Sequence, residues 1–363
     1  MTILADLLQL AAKQEASDVH LKSGRRPFFR RNGVLMESEF ELLSADALQL
    51  IGENIIPERQ RQDFVAGREV DFSFFEEGAG RFSVNAFLAQ GIPTFALRHV
   101  QESIPSFEEL NLPLQLQQLA LEPRGIIIVA GTTGSGKSTT LAAMIQHINE
   151  QSSSRIISIE DPIEYLFHNE RSVITQREVG IDTHDFHAGL KFILRQDPDV
   201  IMVGEMRDKM GFSTALSAAE TGHLILTTLH AGNSSQAIYR MLEFFPSGDH
   251  ERARMALAGN LRAIICQRLI QSVDDSVVPA VEILINTSTV RNLLEKNKLE
   301  IISSAIETGA GDGMQSFNQS IYKLIKSGMI TEEAGMRHAT NPQALKMNLK
   351  GIMLDEDKRI LAT

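Results

Sequence analysis

The chain has 363 residues, a length that favours about two domains. It carries 35 lysines and arginines against 46 aspartates and glutamates, and the resulting net charge of −11 argues against general affinity for nucleic acid or anionic lipid. The single cysteine, Cys266, excludes an internal disulfide and a cysteine-cluster zinc site, and we expect it to be a small core residue.

Residues 1–100 are predicted to form a small α+β domain. Leu4, Leu7, Leu8 and Ala11 have the spacing of an amphipathic helix, and the N-terminus lacks the basic residues of a signal peptide. Asn32-Gly33 indicates a hairpin, and "VDFSFF", "RFSVNAFLA" and "PTFALRHV" alternate with the strand period. No apolar run reaches the roughly 18–20 residues that span a bilayer, so we expect a cytoplasmic protein.

Residues 101–113 contain Pro105 and Pro113 and are predicted to be a linker. From residue 114 to 363 the pattern changes to buried strands alternating with helices. The strands are "GIIIVA", "RIISIE", "DVIMVGE" and "HLILTTLH", and "STTLAAMIQHI", "DFHAGLKFILRQ" and "GFSTALSAAET" are the helices between them. This alternation predicts a parallel sheet covered on both faces, and the last hundred residues are expected to be mainly helical.

The stretch "GTTGSGKST" matches the phosphate-binding pattern G-x-x-x-x-G-K-[ST], with a buried strand before it and a helix after it. Glycines allow backbone N–H groups to turn towards an anion, and the following helix directs the positive end of its dipole to the same place. The lysine would reach the β- and γ-phosphates of ATP, and Ser138 would bind Mg²⁺. The expected nucleotide-binding residues are Gly131, Thr132, Thr133, Gly134, Ser135, Gly136, Lys137, Ser138 and Thr139.

Acidic residues and histidines follow the other predicted strands. Glu160 ends the strand "RIISIE", Asp161 and Glu164 follow within four residues, and Glu205 ends "DVIMVGE". Ligands of parallel sheets lie at the carboxyl ends of strands, so these acids are candidates for binding Mg²⁺ and activating water. His223 and His230 bracket one strand; an isolated histidine is more often structural, but this placement favours a role in the site.

These blocks together resemble the secretion ATPases of type IV pili and type II secretion, and more narrowly the twitching-motility retraction ATPases, the PilT/PilU family. The motifs are "GTTGSGKST", "IEDPIEY", "VITQREVG", "LRQDPDVIMVGEMRD" and "AAETGHLILTTLHA", in this order, with "ASDVHL" and "RFSVNAF" near the start and "STVRNLLEK" and "GMQSFNQSIYKLIKSGMIT" near the end. The resemblance covers nearly the whole chain. It implies an N-terminal PAS-like α+β domain, then a RecA-like P-loop ATPase domain with C-terminal helices.

The resemblance also implies roles for single residues. Glu164 matches a glutamate that polarises water, and Glu205 matches an atypical Walker B acid that would bind Mg²⁺ together with Ser138. His223 and His230 match a histidine box, and Arg81 and Arg98 match arginines that reach the nucleotide. The family implies a homo-hexameric ring with ATP between protomers, which acts on the cytoplasmic face of the inner-membrane pilus platform protein. A paralogous retraction ATPase is a further expected partner.

Several other functions share parts of this pattern. A GTPase would need the guanine-reading motif N-K-x-D, whereas "NKLE" at Asn297 ends in glutamate. A RecA-like nucleic-acid translocase is disfavoured by the net charge of −11, and we expect no nucleic-acid partner. The nearest alternative is a pilus assembly or type II secretion ATPase, but those resemble only the core, with longer N-terminal regions and usually a four-cysteine zinc module. Two features differ from the typical PilT pattern: the degenerate start of "STVRNLLEK", and the tail "HATNPQALKMNLKGIMLDED", which extends beyond a typical PilT ending and resembles that of PilU.

Overall fold

The computed structural model describes residues 3–31, 33–100 and 103–351. Asn32 of the predicted hairpin, residues 101–102 of the predicted linker and residues 352–357 of the tail motif lie outside the described residues. The chain divides into two compact units. The first contains the chain up to Ser103, together with Asp161–Phe167 and Glu178–His184, two segments from the stretch that the predicted boundaries place after residue 114. The second contains Ile104–Glu160, His168–Arg177 and the chain from Asp185 onward.

The first unit is built on a six-stranded sheet with the order β3-β2-β1-β6-β5-β4, and its neighbouring strands pair antiparallel. This arrangement confirms the predicted α+β class. The elements in chain order are α1 (Ile3–Lys13), β1 (Asp18–Leu21), β2 (Phe28–Arg31), β3 (Val34–Glu37), α2 (Ala45–Ile55), α3 (Glu58–Val65), β4 (Val70–Glu76), β5 (Gly80–Ala89) and β6 (Ile92–His99).

One face of this sheet forms the core of the first unit. Leu7 and Leu8 of α1 are buried with Phe82 and Val84 of β5, as the helical and strand periods predict. Leu97 of β6 belongs to the same core. Because side chains alternate along a strand, the residues between these buried positions lie on the opposite face, which is polar.

Among the described residues, no helix is both long and apolar enough to cross a bilayer.

The second unit is built on a seven-stranded sheet with the order β13-β12-β7-β11-β10-β8-β9. Its elements in chain order are α4 (Gln115–Ala120), β7 (Gly125–Gly131), α5 (Lys137–Gln151), β8 (Arg155–Glu160), β9 (Val173–Glu178), α6 (Phe186–Ile193), β10 (Val200–Val203), α7 (Lys209–Glu220), β11 (Leu224–Leu229), α8 (Ser234–Glu243), α9 (His250–Asn260), β12 (Leu261–Gln271), β13 (Val277–Ile285), α10 (Ser288–Glu295), α11 (Ile302–Thr308), α12 (Phe317–Lys326), α13 (Glu332–His338) and α14 (Pro342–Leu349).

Strands β12, β7, β11, β10 and β8 run parallel to their neighbours in this series. Every residue of β7, β10 and β11 is buried, which means that both faces of the sheet are covered. The predicted parallel sheet is therefore confirmed. Parallel strands bring their carboxyl ends to one edge, so the residues that follow β7, β10 and β11 come together there.

The expectation that the last hundred residues are mainly helical is wrong in one respect. Strands β12 and β13 pair antiparallel and extend the sheet beyond β7, and Cys266 is buried on β12. "VVPAVEILI" is apolar apart from Glu282, and "LRAIICQRLI" contains the apolar run Ala263–Cys266, because these parts of the strands are buried on both faces. Such a run has no alternation, so its periodicity does not distinguish a strand from a buried helix.

Candidate nucleotide-binding site

The loop between β7 and α5 has a shape that only glycine permits at two of its positions. Gly136 has a φ of 85°, in the left-handed region, and forms the N-cap of α5. A Cβ on Gly131 would lie 2.2 Å from Ser135 Oγ and 2.8 Å from the Gln267 carbonyl oxygen. The chain therefore turns tightly around a small volume at the end of β7, and α5 begins directly after the turn with the positive end of its dipole.

Lys137 is the first residue of α5, and its side chain folds back over the loop. Its Nζ donates to the carbonyl oxygens of Gly131 at 3.2 Å and Thr132 at 3.0 Å. The hydroxyl of Ser135 is buried and has no hydrogen-bond partner among the described residues. An ammonium group, a buried donor and a helix N-terminus all lie around one small turn. This set fits the phosphate groups of a nucleotide.

The other predicted loop residues surround the same turn. Thr132 and Thr133 are exposed, and Gly134 has a φ of 75° with open space where a Cβ would be. Ser138 and Thr139 are half-buried on the first turn of α5, where an oxygen-seeking cation bound beside the phosphates would need a hydroxyl.

Sequence reasoning missed one residue that shapes this loop. Gln267 of β12 accepts a hydrogen bond from the Thr140 hydroxyl through Oε1 at 2.8 Å, and its Nε2 lies 2.8 Å from where a Cβ on Gly136 would be. It is buried, in contact with both the turn and the first part of α5. Gln267 reaches the loop because β12 pairs with β7, and the sequence patterns predict no strand for "LRAIICQRLI".

Glu205 and His230 meet at the carboxyl edge of the same sheet. Glu205 follows β10, His230 follows β11, and the paired strands bring Glu205 Oε1 to 3.3 Å from His230 Nε2. Arg207 Nε donates to the other carboxylate oxygen at 2.7 Å. The Glu205 carboxylate thus lies between an imidazole and a guanidinium, and carboxylate oxygens are the protein ligands that Mg²⁺ prefers.

A buried acid lies at the end of the neighbouring strand. Glu160 ends β8, accepts from the Ser158 hydroxyl at 2.6 Å and from Gln176 Nε2 at 3.0 Å, and is 6% exposed. On β11, the hydroxyl of Thr227 is buried without a partner among the described residues. The sequence makes Glu160 a candidate for binding Mg²⁺ or activating water, and that role stays a prediction.

His223 does not join this group. It precedes β11, and its Nδ1 lies 2.8 Å from the Ala218 carbonyl oxygen and 3.2 Å from the Thr221 hydroxyl. A strand rises about 3.3 Å per residue, so His223 lies about 20 Å from His230, at the amino edge of the sheet. The structure does not bring the two histidines together within the chain, because a strand separates the ends that it brackets, and His223 closes the turn between α7 and β11. A role for His223 in the site stays a prediction.

The two arginines predicted to reach the nucleotide belong to the first unit. Arg98 Nε donates to Asp18 at 3.1 Å, and Arg30 Nε lies 3.9 Å from the other oxygen of that carboxylate. Ser83 pairs directly with Arg98, and Arg81 is two residues before Ser83 on β5, so both arginines are on the polar face of the sheet. Both arginines lie on one face of the first sheet, and Arg98 contacts Asp18, which the sequence did not single out; that they reach a nucleotide stays a prediction.

Glu164 belongs to the segment Asp161–Phe167 that groups with the first unit, and its side chain is exposed. Glu178 of the first unit is buried and accepts from the Ser73 hydroxyl at 3.0 Å. Burial raises the pKa of the Glu178 carboxyl, while Ser73, the Ile163 amide and the charge of Arg81 act in the opposite direction. The contact with Ser73 connects the segment Glu178–His184 to strand β4 of the first sheet.

The chain is similar to known proteins over nearly its full length. Residues 1–305 match the family described as "Type II/IV secretion system protein". The chain is 41% identical to the type IV pilus ATPase PilU of Pseudomonas aeruginosa, over 95% of this chain and 90% of PilU. It is 38% identical to the type IV pilus retraction ATPase PilT of the same organism, over 94% of this chain and 99% of PilT.

A solved structure shows the same fold. The crystal structure of the pilus retraction motor PilT with bound ADP superposes with a TM-score of 0.88, at 41% identity, and covers 95% of this chain and 99% of that one. The agreement extends over both units, and the architecture of an N-terminal domain followed by a RecA-like ATPase domain is confirmed. The chain therefore belongs to the type II/IV secretion system family, in the group that contains the twitching-motility ATPases PilT and PilU.

Proposed function

We propose that this chain is a motor ATPase that couples ATP hydrolysis to type IV pilus retraction, and thereby to twitching motility. The observation that carries the proposal is the carboxyl edge of the second sheet, where the loop of Lys137 and the Glu205–His230 pair follow adjacent parallel strands. The near full-length similarity to PilT and PilU supports retraction rather than pilus assembly or type II secretion.

The loop residues 131–139 bind the phosphates of ATP. Backbone N–H groups and the α5 dipole stabilise negative charge, and Lys137 exchanges its contacts with loop carbonyls for the β- and γ-phosphates. Ser138 and Glu205 would hold Mg²⁺, which when bound neutralises charge on the phosphate oxygens. His230 and Arg207, through their contacts with Glu205, orient that carboxylate.

The remaining groups complete the chemistry of hydrolysis. Glu164 polarises the attacking water, and Arg81 and Arg98 of a neighbouring copy of the chain stabilise the charge that develops on the transferred phosphoryl group. A guanidinium suits this role because it keeps its charge and its planar fork matches phosphate oxygens.

The motor is a homo-hexamer on the cytoplasmic face of the inner-membrane pilus platform protein, and a paralogous retraction ATPase acts beside it.

Two measurements test the proposal. The purified chain should hydrolyse ATP, and cells without its gene should keep surface pili but lose twitching motility. Loss of the pili themselves would show that the chain drives assembly instead. Salt-sensitive binding of the chain to single-stranded nucleic acid would favour a translocase.

A further inference from the structure

Strand β12 has one side towards the phosphate-binding loop and the other towards the C-terminal helices. Gln267 contacts Thr140 and the turn at Gly136, as described above. The next residue, Arg268, has its side chain on the opposite face because side chains alternate along a strand. β12 thus carries, at two successive positions, a contact with the nucleotide loop and a contact with a different part of the unit.

Arg268 joins three segments that are far apart along the chain. Its guanidinium donates to the carbonyl oxygens of His338, at the end of α13, at 2.7 Å, and of Gly232, in the loop after β11, at 3.2 Å. Its Cζ lies 3.8 Å from the ring centroid of Phe317, the first residue of α12, which is a favourable distance for a cation–π contact. The planar fork of arginine is required here, because lysine cannot reach two carbonyls and stack on a ring at once.

The electrostatic surroundings hold this guanidinium in place. Glu282 of β13 is 8% exposed, attracts Arg268, and accepts from both the amide and the hydroxyl of Ser234 at 2.8 Å. Ser234 is the first residue of α8, directly after the loop that contains Gly232. Arg268 and Glu282 therefore hold the C-terminal half of the loop between β11 and α8, at Gly232 and at Ser234.

This loop begins at His230, and Gly232 is only two residues further along. We propose that Arg268 is a positioning residue for hydrolysis, which ties the C-terminal helices α12 and α13 to the loop that places His230 against Glu205. The inference rests on the proposed ATPase function. Movement of these helices displaces the Gly232 carbonyl and with it the Glu205–His230 pair, so the helices and the nucleotide site change state together.

The test compares Arg268→Lys with Arg262→Lys in the full-length chain. Arg262 is a matched control because it is on the same strand and also donates to a carbonyl, that of Arg124, but at the opposite end of β12. We expect Arg268→Lys to lower kcat about tenfold, as small displacements of positioned groups do. Nucleotide affinity and KM should stay close to wild type, because the loop residues 131–139 are untouched. Arg262→Lys should hydrolyse ATP at the wild-type rate.

A second arm asks whether Arg268 acts through His230. Hydrogen exchange in Arg268→Lys should increase both at residues 230–236 and at 338–341, and stay unchanged at 125–137. His230→Ala and the double variant should hydrolyse ATP at the same reduced rate, since a group that acts through His230 has no effect once that side chain is gone. Phe317→Leu removes only the stacked ring and should lower kcat in the same direction, which keeps the test open if Arg268→Lys folds poorly.

Two results would overturn the inference. One is a wild-type kcat in both Arg268→Lys and Phe317→Leu. The other is a kcat of the Arg268→Lys, His230→Ala double variant that is reduced by the product of the two single-variant factors. A wild-type chain that hydrolyses no ATP would instead refute the proposed function, so the two failures are distinguishable.

Discussion

Arg98 and Asp18 are directly paired on neighbouring strands of the first sheet, and Arg98 Nε donates to the Asp18 carboxylate at 3.1 Å. The side chain of Arg98 is 63% exposed and that of Asp18 15%. An exposed ion pair of this kind contributes little to stability. The contact does restrict the direction of the guanidinium, which is what an arginine that must reach a phosphate requires.

Arg98→Ala should leave the fold intact and lower ATP hydrolysis by at least about tenfold, since arginines that stabilise phosphoryl transfer contribute about 10³–10⁵ in rate. Steady-state hydrolysis and thermal unfolding of the purified variant measure both effects. Arg30→Ala is the matched control, because Arg30 lies on the other side of the same Asp18 carboxylate. Equal activity of the Arg98 variant and wild type would reduce Arg98 to a solvated surface residue.

Mixed assemblies test whether Arg98 acts on the nucleotide of a neighbouring copy. Arg98→Ala and Lys137→Ala chains are each expected to be nearly inactive alone. When they are mixed, some interfaces combine an intact loop with an intact arginine, and activity should partly return. An absence of any recovery in rings shown to contain both chains would assign Arg98 to its own chain's nucleotide.

Lys137→Ala should abolish hydrolysis, because it removes the mobile cation of the phosphate-binding loop. Lys209→Ala is a close control: Lys209 is also the first residue of a helix that follows a strand, but it pairs with Asp249 at 2.8 Å. That control should retain full activity. Normal steady-state turnover by the Lys137 variant would contradict the nucleotide site itself.

Glu164→Gln should separate binding from hydrolysis. The amide keeps a hydrogen-bonding group of the same size but loses the charge that activates water, so ATP should bind and turn over slowly. Binding of a fluorescent ATP analogue and release of phosphate measure the two properties, with Glu170→Gln, another exposed carboxylate, as the control. If binding and turnover disappear together, Glu164 is a ligand or a structural residue.

Gly131→Ala tests the shape of the loop. The new methyl group would lie 2.8 Å from the backbone oxygen of Gln267, so the chain must shift, at a cost of about 1–3 kcal/mol for an overpacked site. The strain opposes the tight turn that holds the phosphates, so nucleotide affinity should fall by about fivefold to 150-fold, because each 1.4 kcal/mol corresponds to a factor of ten. Gly259→Ala, on α9, has an ordinary φ and open space around the new methyl group, so it should keep wild-type affinity. Equal losses in both variants would show that the close contact at Gly131 is not what matters.

Glu282 should make stability depend on pH. Burial raises the pKa of its carboxyl above the ordinary value of 4.5, although Ser234 and Arg268 oppose the shift. The folded state therefore keeps the proton to higher pH than the unfolded state does. The stabilisation is fully present below pH 4.5 and is lost as the pH rises through the folded-state pKa.

Glu282→Gln should remove this part of the pH dependence, which amounts to about 1.4 kcal/mol for each unit between the two pKa values. Denaturant unfolding between pH 4 and pH 8 measures the free energy of unfolding of the variant and of wild type. Glu251→Gln, on the exposed side of α9, should keep the wild-type profile. An unchanged slope in the Glu282 variant would mean that another group is responsible.

Local patterns were sufficient to predict much of this molecule. The alternation of Phe82 and Val84 with polar residues identified β5, and the apolar strand, glycine-rich turn and helix around Lys137 identified the nucleotide loop. These features depend on neighbours within a few residues, since strand and helix periods and turn conformations are properties of short segments. The roles of Glu164 and Arg98 remain predictions that the variants above test, and the role of Glu205 also remains a prediction.

What only the tertiary structure decided are the relationships between distant segments. Gln267 reaches Thr140 across 127 positions of sequence, and Arg98 reaches Asp18 across 80. His223 and His230 look equivalent in the sequence, but they lie at opposite edges of the sheet because an extended strand separates them. Which strand pairs with which depends on burial of whole faces and on the order of the sheet, and an uninterrupted apolar run such as that of β10 contains no signal for either.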